Sequence, residues 1–278
     1  MKVDLQVVKQ SVKWVVYSLL LVNFALYLNW DWHGATHALG PAEPLIKWLQ
    51  AYAASIDYAA WLVLILLFEL ETYALSDKAF TPRVQRLMHG TRMLCYLFVL
   101  HTVYAYSVNT YEAYFEVEEA AGVSDLCQVA DGRISFVSNQ QYTYLDADNC
   151  ALMGTGQEYF LLDKGRVIAD RVNLERERWL AWLDVVEAVI WLLIMALIEM
   201  TIRLQERGVS GGRTITTLNY LKFGGYSTLM VIAVYWGLTD LILNFWDEIL
   251  WIGGFAAIEM NMSDWREELE EAPVQGTV

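Results

Sequence analysis

Three glutamates, Glu69, Glu199 and Glu259, stand inside apolar runs of the sequence, each twelve residues after another acid: Asp57, Glu187 or Asp247. A tryptophan follows each of those first acids by four residues, at Trp61, Trp191 and Trp251, and a leucine or methionine follows each glutamate, at Leu70, Met200 and Met260. In the alternate apolar runs a cation precedes a tyrosine by four residues, as Lys13 with Tyr17, Arg92 with Tyr96 and Lys222 with Tyr226. Spacing held three times over reads as an internal repeat.

A carboxylate buried in hydrocarbon costs about 2.5 to 3.5 kcal/mol on insertion scales, so each glutamate needs a partner or a purpose. In one reading the Lys or Arg reaches in from the boundary and the tyrosine donates its hydroxyl, so that each glutamate is clasped within its own repeat. In the other, Glu69, Glu199 and Glu259 converge on a central axis and attract a cation, lining an ion pathway. The acids Asp57, Glu187 and Asp247 cannot share that axis, because twelve residues at 100° each leave roughly 120° between the two acids on one helix. They are expected as an outer acidic set at headgroup depth, with the three tryptophans as an interfacial belt. Asp184 and Glu187, three apart, are read as facing Arg178 or lining a vestibule.

His101 falls in the middle of an apolar run, where a hydrogen bond within a bundle competes with a proton site. His33 and His37 are four apart and could share a metal on one helical face, although Gly34 interrupts the helix that this needs. Enzyme signatures are otherwise missing. Four histidines cannot supply a histidine-rich di-iron site, and zinc spacing, a phosphate-binding glycine loop and a nucleophile elbow are all lacking. Cys95 and His101, six apart, lie on opposite faces of one helix. No cofactor is implied.

Six apolar runs would position these residues: Trp14 to Trp30, about Tyr58 to Leu75, Met93 to Asn109, Trp179 to Ile202, Phe223 to Thr239, and a weaker one from Phe245 to Met262. The expected fold is an all-α polytopic membrane protein with six transmembrane helices. Three parallel helical hairpins would stand around a pseudo-threefold axis, with a small β-rich extracytoplasmic insert. The short loops holding Lys78, Arg83, Arg86 and Arg92, and Arg203, Arg207, Arg213 and Lys222, are basic, which places them and both termini in the cytoplasm of an inner membrane. Residues 111–175 then fall outside. Cys127 and Cys150 in that insert suit a disulfide, and Ile134 to Val137 and Tyr142 to Leu145 alternate like short strands. The implied divisions are 1–110, the insert 111–175, the remaining spans 176–266 and an acidic tail 267–278. Asn173 is expected to cap the helix after the insert and Pro44 to open the one before the second run.

Within 278 residues, 56% are hydrophobic, which excludes a disordered chain, and a formal charge of −14 argues against nucleic acid as partner. The leading expectation is a cation channel or transporter-like conduit with an intramembrane glutamate ring, in contact with lipid. The alternatives are a non-catalytic membrane scaffold or sensor subunit that binds a protein or a second copy through its outer domain, and a membrane enzyme using the outer histidine pair.

Overall fold

A computed structural model describes residues 5–70, 81–154, 158–207, 209 and 211–255. Six long or short helices are bounded as α1 (Leu5–Ala38), α2 (Leu45–Ala51), α3 (Ala53–Glu69), α4 (Pro82–Phe115), α5 (Arg171–Glu206) and α6 (Arg213–Leu238), and residues 242–255 form α7. Between α4 and α5 lie five strands: β1 (Glu118–Glu119), β2 (Ser135–Ser138), β3 (Gln141–Tyr144), β4 (Tyr159–Leu162) and β5 (Val167–Asp170). The chain divides into two compact units, one of residues 1–23 with 226–278 and one of residues 24–225.

The expectation of six membrane spans is overturned. Among the described residues one helix, α5 over Arg171–Leu204, is long and apolar enough to cross a membrane, and the pair α2 and α3, bent by 69°, is a second only if it counts as one span. The reason is that an uncharged run is not an apolar one. Trp14 to Trp30 includes Tyr17, Ser18, Asn23, Tyr27 and Asn29; Met93 to Asn109 includes Tyr96, His101, Thr102, Tyr104, Tyr106 and Ser107. Such groups keep their affinity for water and dilute the hydrocarbon that a span requires. Helix α3 by itself has 17 residues, and residues 71–75 of the second run and 256–262 of the sixth lie outside the described residues. The three-hairpin bundle with a pseudo-threefold axis goes with the six spans, and the architecture is helical with one mixed five-stranded sheet.

In the larger unit α4 packs between α3 and α5. Thr81 begins α4, its hydroxyl accepting from the Val84 amide at 3.4 Å, with Pro82 at the first helical position where a missing N–H costs nothing. Thr110 of α4 donates to the Ala181 carbonyl of α5 at 3.1 Å. Pro44 stands at the N-terminal boundary of α2 as expected from its fixed φ. The cap of α5 differs from expectation: buried Asp170, three residues ahead of Asn173, accepts from the Asn173 amide at 2.8 Å. Asn173 turns its own side chain to Asp170 and to the Ser138 hydroxyl.

The sheet order is β1-β4-β5-β2-β3, antiparallel throughout except for the parallel β2 and β5 pair, where Ser135 faces Val167. Period-two alternation sends Phe136 and Ile168 to one face, where they meet Leu126, Leu145, Cys150 and Tyr159. Val137, Val167 and Ala169 go to the other, against Leu174 of α5 and Ala38 of α1. Cys127 and Cys150 are disulfide-bonded, closing the loop beside the first cluster. Gly154, at φ +72°, sits where a Cβ would lie 3.0 Å from Leu126, so both backbone and space demand glycine there.

In the smaller unit the Asn23 amide donates to Asp247 of α7 at 2.7 Å, and Gly254 of α7 would bring a Cβ within 3.7 Å of Val16. A turn through Asp240, at φ 63°, joins α6 to α7.

Candidate functional site

Acidic side chains from three helices converge beneath the β2–β3 turn in the larger unit. Asp31 near the end of α1 is 8% exposed and accepts from the Ser55 amide of α3 at 2.8 Å. Asp57, half-buried two residues further along α3, accepts from the indole of Trp61 at 3.1 Å. From α5, Glu187 acts on Asp57 and on Asp184. Tyr106 of α4 stands within the electrostatic reach of Asp184, Asp57, Asp31 and Glu187 together. Burial pushes the Asp31 carboxyl up to about 6, and the hydrogen bonds from Ser55 oppose that rise.

The turn that covers these acids is held in an unusual backbone conformation. Asn139 and Gln140 take φ of 57° and 59°, a left-handed region in which an asparagine is tolerated and a glutamine is strained. The Gln140 amide N–H donates to both carboxylate oxygens of Glu177, at 3.0 and 3.2 Å, and its side-chain amide donates to Asp184 at 3.1 Å. Hydrogen bonds of this kind contribute about 0.5 to 1.5 kcal/mol each and offset the strain.

A second seam joins the end of α1 and the segment after it to the sheet. His37, 4% exposed, holds the hydroxyl of fully buried Ser135 at 2.6 Å, and its ring lies 4.0 Å from that of Tyr144 and 5.9 Å from that of Tyr142. His33 is 4.5 Å away ring to ring, with Nε2 at 3.2 Å from the Tyr142 carbonyl. Further along, Gly40 abuts Arg166 so closely that a Cβ would fall 2.7 Å from its guanidinium, and Lys164 binds Glu43 at 2.8 Å. Lys47 of α2 pairs with Glu112 of α4. The Lys164 ammonium holds the Glu43 carboxyl below the usual carboxylate range.

The structure brings some of the residues marked by the repeat together and separates others. Asp57 meets Glu187, and Trp61 meets Trp191 edge to face at 6.1 Å, so equivalent positions of two repeats touch. The third outer acid, Asp247, belongs to the other unit and takes the Asn23 amide. Glu199 pairs with Arg203 on its own helix at 2.9 Å, and both act on Tyr96 together with Arg92. Lys13 lies over the Tyr17 ring at 5.8 Å. Glu69 ends α3, Lys222 and Tyr226 lie on α6, and Glu259, Met260 and Lys78 lie outside the described residues. His101 has both ring nitrogens buried without a hydrogen-bond partner among the described residues, its ring 6.3 Å from that of Tyr104.

No third ligand joins the histidine pair among the described residues, where no group of three or more His, Cys, Asp or Glu that could hold a metal ion is found. Nor does Arg178 meet Asp184. It binds Glu175 at 2.7 Å and the Ala113 carbonyl at 2.8 Å, and stacks over Tyr114. Tyr106, Glu177, Gln140, Ser135 and Tyr144 were not singled out by spacing. The interval of seven between Glu177 and Asp184, two turns on one helical face, is the signal that would have found that pair. No protein-family model matches the chain, and no curated protein or solved structure matches it either.

Proposed function

We propose that the chain is a non-catalytic, membrane-anchored scaffold or sensor that presents its disulfide-closed sheet on α5. The observation that carries this reading is that α5 serves both ends of the task. Its first turns are bonded into the sheet through Asp170, Asn173 and Glu177, and the same unbroken helix is, among the described residues, the one apolar and long enough to cross a bilayer. A rigid helix of this kind transmits a tilt or rotation of the sheet along its length, whereas a flexible linker would absorb it. Large exposed apolar side chains elsewhere, such as Leu97 at 59%, Phe223 at 71% and Trp179 at 53%, support surroundings of lipid or protein.

The conduit reading has lost the six-helix ring that it required, and Glu199 is engaged by Arg203. The enzyme reading depended on His33 and His37, which pack the helix against the sheet. The test uses the full chain in sealed vesicles with Cys95 replaced by alanine and the disulfide kept. A cysteine at Asp148 in the sheet unit is expected to react with an impermeant maleimide from one side, and a cysteine at Thr214, beyond α5, only after permeabilisation. Equal labelling of both, or release of the chain by alkaline carbonate, would overturn the anchored reading. Cation flux through proteoliposomes of the wild type would restore the conduit.

A further inference from the structure

The histidine pair has a use that the metal reading did not anticipate. His33 and His37 lie one turn apart in the last turns of α1, and both spend ring nitrogens on the sheet, His37 on Ser135 of β2 and His33 on the Tyr142 carbonyl of β3. Tyr144 returns a bond to the same helix, its hydroxyl donating to the Thr36 carbonyl at 3.2 Å. The His33 contact takes up the Tyr142 carbonyl of β3, an edge strand whose residues are otherwise mostly exposed. We propose that this pair is an acid-released clasp, which holds the end of α1 on the β2–β3 edge when uncharged and lets go when charged.

The geometry opposes a charge at His37 from two directions. Its ring is almost wholly removed from water, and the His33 ring stands 4.5 Å from it, where a charge on one ring repels a charge on the other. Among the described residues, burial first and His33 second are what hold the His37 ring below its usual value. The groups facing it are the phenols of Tyr142 and Tyr144 from β3 and the hydroxyl of Ser135 from β2. Tyr142 is itself under the influence of Asp163, in the β4–β5 turn, and of Glu177 on α5. The tyrosine faces return part of the cost as a cation–π attraction, roughly 0.5 to 2 kcal/mol. Asp31, on the same helix, is turned to Ser55 of α3.

The sign follows from linkage. A histidine held below its ordinary value lends stability that is fully present above about pH 6.5 and is lost as pH falls through the lower folded value. The clasp is therefore closed at neutral pH and opens in acid. This goes beyond the anchored reading and stands apart from it, because the measurement works on the detergent-solubilised full chain wherever α5 resides.

The experiment follows amide hydrogen exchange, corrected for intrinsic rates, in the segments 33–39 and 135–144 at pH 7.5 and 5.0, beside a ¹³C-histidine NMR titration. The expected result is exchange about tenfold faster or more at pH 5.0, with a midpoint that tracks the His37 resonance. In H33Q, which keeps the His37 bond to Ser135, the step shrinks; in the H33Q, H37Q double variant it vanishes. Protection that survives titration of both histidines in the wild type overturns the proposal without recourse to any variant. So does a full step that persists in a folded double variant.

Discussion

At the scale of single residues, Asp31 shows how burial, outweighing the opposing hydrogen bonds from Ser55, sets a pH response. Its carboxyl is 8% exposed, and the raised value near 6 means that the folded chain holds a proton more tightly than the unfolded one, whose aspartates titrate near 3.9. The stability linked to this proton is complete below about pH 4 and is lost as pH rises through about 6. Replacing Asp31 with asparagine removes the charge and keeps an oxygen for the Ser55 amide. Thermal melts should therefore show D31N gaining on the wild type between pH 4.5 and 7.5, by about 2 kcal/mol. A difference independent of pH would mean that Asp31 is better hydrated than its burial implies. His37 tilts the other way, so the comparison rests on the difference between the two proteins and not on either melt by itself.

At the scale of elements, α5 and α6 meet through one glycine of a pair. A Cβ at Gly225 would stand 2.9 Å from Ile194 Cγ1 and 3.1 Å from its Cδ1, while a Cβ at Gly224 would meet nothing within 4 Å. The structure turns Gly225 to α5. Alanine at 225 should cost about 1 to 3 kcal/mol through the forced shift of Ile194. Alanine at 224 should be neutral or gain up to about 1 kcal/mol from helix propensity. Urea unfolding of the two variants in the same detergent measures the contrast; equal effects would mean that the helices separate locally.

The strands illustrate the same division. β2 and β3 fall where short runs of aromatic and β-branched residues are visible in the sequence, although β2 is buried on both faces and β3 is mostly exposed. β1, two residues of glutamate, has no such pattern and exists only because β4 offers it an edge.

At the scale of the whole molecule, the sheet unit depends on a covalent closure. The disulfide spans a sequence separation of 23 residues, and loop-closure entropy assigns such a bridge about 3 kcal/mol. The C127S, C150S variant should lose roughly that amount from the sheet, read as faster exchange in residues 126–150, while α3 and α4 keep their protection. Uniform loosening of the helices as well would show that sheet and bundle unfold as one.

The sequence by itself determined the long helical segments, the two cysteines that pair, the alternating strands and the spacing of Asp57 with Trp61 and of Glu187 with Trp191. All of these are local: periodicity, composition and fixed offsets along one chain segment record them. Its uncharged runs also suggest more membrane spans than the described residues contain, because hydroxyl, amide and imidazole groups within them keep their affinity for water. Only the tertiary structure decided that Gln140 reaches Asp184 across 44 residues and that His37 reaches Ser135 across 98. It likewise placed Asp57 beside Glu187 while Asp247 belongs to the other unit. Which side chains meet is set by the rotation of each helix about its own axis and by the register in which distant segments pack. Those are fixed by the burial of many side chains at once, which no single segment encodes.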